Sequence, residues 1–270
     1  MNRSRWFLPT TATIGFIFLY APIISLVVFS FNANRLVTVW SGFSLQSYVS
    51  LWQDPQLLPA TWLSIQIAAI AASIATVLGT LCAIALVRFR RFRGKTVLQA
   101  TVSAPLVMPD VITGIAMLLM FVAMQSLIGW PSGRGMLTIV IAHATFCTAY
   151  VTVVVQSRLG DLDLSLEEAA QDLGATPVRV FFDITLPIIA PALISGWLLS
   201  FTLSLDDLVI ASFVSGPGAS TLPMVIFSKT RLGVSPEVNA LGTLLVAIIA
   251  IGIVVWARLG RSGKKPTVRA

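Results

Sequence analysis

Three carboxylates, Asp110, Asp206 and Asp207, stand in stretches of sequence that are otherwise almost free of charge. A carboxylate inside lipid costs about 2.5–3.5 kcal/mol on insertion scales, so each needs a reason to be there. Their natural counterpart is a cation, because a cavity lined by weak, separated carboxylates admits positive charge and also lets it go. Each has a structural alternative. Asp110 follows Met108 and Pro109, and Asp206 follows Ser204 and Leu205, so either acid can equally cap a broken helix, while Asp207 can simply face water. His143, the single histidine, reads as a hydrogen-bonded packing residue more readily than as a proton relay, since the sequence offers it no evident partner. Cys82 and Cys147 lie in apolar runs without paired or metal-ligand spacing and read as small core hydrophobes.

The elements that must position these groups follow from composition. Of 270 residues, 56% are hydrophobic and 11% charged, with a mean hydropathy of +0.89. An ordinary soluble domain carries roughly a quarter charged residues, so a soluble globule is excluded. The charge-free runs Pro55 to Val87, Gly135 to Ser157 and Val238 to Ala257 each reach the roughly 20 residues a spanning helix needs. Hydropathy predicts six spans, at about 7–31, 60–87, 96–124, 136–157, 188–213 and 238–257. All are expected to be helices and none strands, because a lone segment in lipid must satisfy its own backbone. The opening MNRSRW followed by an apolar run imitates a signal peptide, but the run from Phe7 to Phe31 is about twice a signal core and reads as a retained first span.

Fourteen Lys and Arg fall on one side of this arrangement: Arg3, Arg5, Arg88 to Lys95, Arg158, Arg179 and Arg258 onward. Four fall on the other, Arg35, Arg134, Lys229 and Arg231. The positive-inside rule puts both termini in the cytoplasm and explains the pI near 10.1 without a nucleic-acid partner. Asp110 comes 15 residues after Lys95, about 22 Å of helix, and Asp206 and Asp207 come nearly 30 Å after Pro187, which places all three acids toward the outer mouth.

Other segments carry weaker signals. Between Asn32 and Pro59, Trp40, Phe43, Tyr48 and Trp52 suit a membrane–water interface. Ala68, Ala72, Ala75 and Gly79 form a stripe of small residues that admits a close helix neighbour, either in the same bundle or in another subunit. The stretch 214–237 is too apolar for a solvated loop and too short to span; a re-entrant gate, a docking surface and a plain connector all fit.

The longest cytoplasmic segment, 158–187, is the specific one. Ser165 and Glu168 fit a capping box that starts a helix, along which Leu166, Ala169, Ala170 and Leu173 recur on one face, with Glu167, Glu168, Gln171 and Asp172 opposite. Gly174 suits a left-handed stop, and Thr176 with Pro177 a restart, giving a short helix, a turn and a second short helix. Such a helix buries little by itself but fits a groove in another protein. Its acidic polar face argues against rest on a membrane surface, where Lys and Arg prevail.

Glu168, Ala169 and Ala170, then three residues, Gly174, nine residues, and Ile184, Leu186 and Pro187, resemble the EAA loop of binding-protein-dependent ABC importer permeases at every defining position. The resemblance covers nearly the whole chain. It implies an all-α polytopic membrane protein of the type I ABC importer permease fold, with six transmembrane helices and both termini cytoplasmic, in the bacterial inner membrane. It further implies one permease domain over 1–270, with a core bundle at about 60–258 and a coupling loop at 158–187. Glu168, Ala169, Ala170, Gly174, Ile184, Leu186 and Pro187 would couple to a cytoplasmic ABC ATPase dimer. The chain itself would be no enzyme and hold no cofactor, in keeping with a sequence that lacks the GxxxxGK(S/T) phosphate loop.

The strings PLVMPDVITG and LSLDDLVIASFVSGPGASTLPM are similar to the polyamine branch of these permeases, putrescine importers foremost. That implies a dicationic cargo, a second and different homologous permease, and a periplasmic polyamine-binding protein. Spermidine, thiamine or ferric iron are alternative cargoes, and the acids disfavour oxyanions. An intramembrane aspartyl enzyme built on Asp110 and Asp206 leaves the 158–187 loop without a use. An autonomous channel or carrier would work without an ATPase, which reconstitution distinguishes.

Overall fold

The structure, a computed structural model, describes residues 4–34, 39–89, 91–231 and 236–261. Of the basic residues counted for orientation, Arg3, Arg35, Arg90, Lys264, Lys265 and Arg269 lie outside these, as do positions 232–235 of the stretch 214–237. Among the described residues the fold is helical, apart from an isolated bridge between Asn32 and Phe43. Among the described residues, five helical stretches are long and apolar enough to cross a membrane, Phe7–Ser30, Leu57–Arg88, Asp110–Ile128, Met136–Gly160 and Pro177–Asp206, and a shorter apolar helix runs over Pro236–Gly252. The chain divides into two compact units, 59–225 and the two flanks 1–58 with 226–270.

In the flanking unit, α1 (Ser4–Ser30) packs along α12 (Pro236–Arg261), where a Cβ on Gly242 would meet Leu26 at 3.2 Å. A short helix, α2 (Gln46–Gln53), also packs on α12. Phe31 stacks on Phe43 at 5.4 Å and lies tilted against Tyr48 at 5.3 Å, whose hydroxyl is 2.8 Å from that of Ser30. Asp54 closes the turn after α2, bonding the Lys229 ammonium at 2.6 Å and accepting the N–H groups of Gln56 and Leu57.

The central unit is built around α6 (Met136–Gly160), the most buried of the spans. Ala68, Ala72 and Ala75 of α3 (Leu57–Arg88) are fully buried, and a Cβ on Gly79 would stand 2.7 Å from Val151 of α6. The small-residue stripe therefore serves helix packing inside the bundle. Burial here excludes lipid and fixes α6 as the post against which the other helices are held.

The third and fifth spans differ from the single helices the hydropathy suggests. The third is α4 (Lys95–Val107) followed by α5 (Asp110–Ile128). Pro109 has no N–H to offer and forces Met108 to extended angles, φ −77° and ψ 139°, so the helix breaks there. The fifth span begins earlier than 188, because α7 (Leu164–Asp172) is followed by α8 (Pro177–Val180), which runs without interruption into a π turn (Phe181–Thr185) and α9 (Leu186–Asp206). Pro187 is the physical reason for the π turn. Lacking a donor for the usual bond back to Asp183, it leaves the preceding backbone to widen, and Leu186 N–H bonds Phe181 five residues back. After Asp207 leaves helical angles, α10 (Val209–Val214) resumes, and α11 (Leu222–Arg231) follows a turn. Within the stretch after 214, helix covers Leu222–Arg231, with Leu222 buried and its N–H donated to Ser64 Oγ at 2.7 Å.

Candidate functional site

Both helix breaks carry an acid. Asp110 is the first residue of α5, exposed, and its side chain caps nothing. It makes no ion pair among the described residues, and lies within electrostatic reach of the Tyr150 phenol on α6. Asp206 is the last residue of α9, also exposed and also without an ion pair among the described residues. A carboxylate there sits at the negative end of the helix dipole, an unfavourable place that a cation would relieve. Asp206 and Asp207 both act electrostatically on Cys147, one turn along α6 from Tyr150. The acids of the two breaks thus act electrostatically on groups one turn apart on α6.

Asp207 is different in kind. Its side chain is 11% exposed, and its carboxylate accepts the N–H of Ala211 at 2.7 Å and of Ile210 at 3.3 Å, capping α10. The same carboxylate lies 3.1 Å from Nε2 of His143, whose Nδ1 is 2.7 Å from Ser204 Oγ. His143 has no evident partner in its sequence neighbourhood because Asp207 is 64 residues away. The available signal was depth: both residues lie toward the same end of adjacent antiparallel spans.

At the other end of the unit, α7 is capped by Asp163, which accepts Ser165 N–H at 3.0 Å. Ser165 is therefore the second helical residue, and the capping box anticipated from Ser165 and Glu168 is not formed. That backbone bond holds the Asp163 carboxyl below its ordinary range. Gly174 ends the turn after α7 at φ +87°, a conformation L residues rarely take. None of α7 is buried: Leu166 is 49% exposed and Leu173 90%, with Glu168 and Ala169 exposed as well. Ala170 and Ile184 line a shallow cavity of about 290 Å³ beside Gly174, Leu186 is half-buried, and Pro187 is exposed.

Glu167 faces the other way. Its carboxylate takes hydrogen bonds from Arg88, the last residue of α3, and from Thr185 Oγ1 at 2.6 Å. Sequence periodicity put Glu167 on the polar face with Glu168, Gln171 and Asp172, which are exposed, but could not say that Glu167 turns inward. No group of three or more His, Cys, Asp or Glu able to hold a metal occurs among the described residues.

Residues 75–261 match the family model of the binding-protein-dependent transport system inner membrane component. The chain is 59% identical to the putrescine transport system permease protein PotI of Escherichia coli (strain K12), over 97% of this chain and 94% of that protein. It is 42% identical to the spermidine/putrescine transport system permease protein PotC of Haemophilus influenzae (strain Rd), over 95% and 97%. Among solved structures, a chain of a bacterial ABC transporter involved in the import of the acidic polysaccharide alginate superposes with a TM-score of 0.70 at 19% identity, covering 98% of this chain and 99% of that one. A bundle of apolar helices, an amphipathic helix held outside it and a match of this extent have one reading: the chain belongs to the inner-membrane permease components of binding-protein-dependent ABC importers.

Proposed function

We propose that the chain is the permease half of a putrescine importer and that Asp206 and Asp110 line the route of the dication. The observation that carries this reading is the contrast among three intramembrane acids. Asp207 is consumed by His143 and the α10 cap, whereas Asp206 and Asp110 are exposed and lack ion pairs among the described residues. A slender diamine carries two separated charges, and two separated carboxylates answer them weakly enough for passage. The 59% identity to a putrescine permease supports the cargo, and the lower identity to a spermidine/putrescine permease makes spermidine the competitor to test.

A cytoplasmic ABC ATPase dimer docks on the outward stripe of α7, with Glu168, Ala169, Ala170 and Gly174 at the contact and Ile184, Leu186 and Pro187 leading the motion into α9. A second, homologous permease completes the pathway, both termini are cytoplasmic, and a periplasmic binding protein delivers the polyamine. The test is uptake of labelled putrescine by the complete complex carrying Asp206→Asn or Asp110→Asn. Each is expected to lower uptake about tenfold or more while leaving assembly intact. Parental uptake in both variants would remove these acids from the route, and a spermidine preference in the parent complex would replace the cargo.

A further inference from the structure

The helix that takes the push has almost nothing with which to pass it on. None of the nine residues of α7 is buried, and its packing neighbours are α8 and the π turn. Among the described residues, side-chain bonds from α7 to a membrane helix converge on one atom, Glu167 Oε1, which Arg88 and Thr185 share. Arg88 ends α3 and Thr185 ends the π turn from which α9 rises. The three groups are well shielded: Arg88 and Glu167 side chains are 19% and 15% exposed, and Thr185 is buried.

Resting on the coupling reading of α7 above, we infer that Glu167, outside the EAA pattern, is the positioning residue that ties the coupling helix to two spans at once. Its mechanical logic is geometric. A charge-assisted bond to a guanidinium is short, directional and about twice as strong as a neutral one, so a displacement of α7 is handed to α3 through Arg88. The same oxygen hands it to α9 through Thr185, at a π turn, where helices yield most easily. Glu168 and the exposed leucines face outward to receive force; Glu167 faces inward and delivers it. The two neighbouring glutamates divide these roles because successive helical positions point about 100° apart.

The experiment uses the complete importer, with its ATPase, both permeases and binding protein, in proteoliposomes. ATP hydrolysis is measured with and without putrescine-loaded binding protein for Glu167→Ala, Glu167→Gln, Arg88→Ala and the double variant Arg88→Ala with Glu167→Ala. Expected is normal recovery of the ATPase with the membrane subunits and unchanged basal hydrolysis. Stimulation by loaded binding protein falls roughly fivefold or more in Glu167→Ala and in Arg88→Ala, and the double variant is no worse than Arg88→Ala alone. Glu167→Gln, which keeps the size and an acceptor for Thr185, regains part of the stimulation. A loss that merely tracks lost assembly, or parental stimulation in Glu167→Ala and Glu167→Gln, overturns the tie. Should the parent complex ignore putrescine and respond to spermidine, the cargo reading falls and the same ratio, read with spermidine, still decides the tie.

Discussion

His143 Nε2 lies 3.1 Å from the Asp207 carboxylate, and the same carboxylate carries the first turn of α10 on two backbone N–H groups. One acid therefore both breaks the fifth span and pins the break to α6. Adjacent acids, Asp206 and Asp207, differ because of this: Asp207 holds structure, whereas Asp206 is exposed and without an ion pair among the described residues. Asp207→Ala should lower stability by about 1–3 kcal/mol, since it removes a cap and strands a buried imidazole. Asp206→Asn should leave stability unchanged and raise the apparent KM for putrescine. Thermal unfolding in detergent beside uptake kinetics separates the two; equal destabilisation by both variants would refute the division.

Gly79 and Val151 set the distance between α3 and α6. With a Cβ at position 79 falling 2.7 Å from the Val151 side chain, Gly79→Leu should cost about 1–3 kcal/mol by overpacking. Val151→Ala, itself destabilising through a cavity, should recover part of that loss when combined with it. Expression level and melting temperature of the four combinations give the coupling. Additive losses would mean the two helices do not limit each other's approach.

How much of this was legible in the sequence depends on the kind of signal. The five long apolar helices and the shorter sixth follow from runs free or nearly free of charge, because lipid tolerates little else, and the α7 stripe from its 3.6-residue period. The breaks at Pro109 and Asp207 escaped the hydropathy sum, which averages over the one residue that lacks a donor or caps a new helix. Ser165 and Asp163 both look like caps, and only the backbone angles of Asp163, φ −69° and ψ 115°, decide between them. Pro187 carries a signal that could have been used: a proline within a helical run implies a disturbed turn before it, and the π turn is there. The inward face of Glu167 and the pairing of His143 depend on partners 79 and 64 residues away, which periodicity cannot supply.

Gly174 has open space where a side chain would go, so its constraint is conformational alone. At φ +87° a Val should cost about 1–2 kcal/mol, and an Asn, which tolerates the left-handed region, less than that. If the turn is needed to present α7 to the ATPase, transport should follow the order Gly, Asn, Val at equal membrane abundance. A Val variant as active as the parent would show that the ATPase reads the stripe of α7 without regard to how the turn leaves it.

The Asp54–Lys229 bond gives the flanking unit a dependence on pH. Burial alone would raise the Asp54 carboxyl, but the Lys229 ammonium and the N–H groups of Leu57 and Gln56 outweigh it and hold the carboxyl below its ordinary value. A group depressed on folding binds its proton more tightly in the unfolded chain. Its stabilisation is complete above the unfolded value near 3.9 and is lost as pH falls through the lower, folded value. Protection factors of the Gln56 and Leu57 amides, exchange corrected for the intrinsic rate at each pH, should therefore hold steady above about pH 4 and fall below it, and Asp54→Asn should show the lower protection at the upper pH with a much flatter profile. Equal pH profiles for parent and Asp54→Asn would mean that the turn between α2 and α3 is held by its backbone bonds alone, with Lys229 contributing no measurable charge effect.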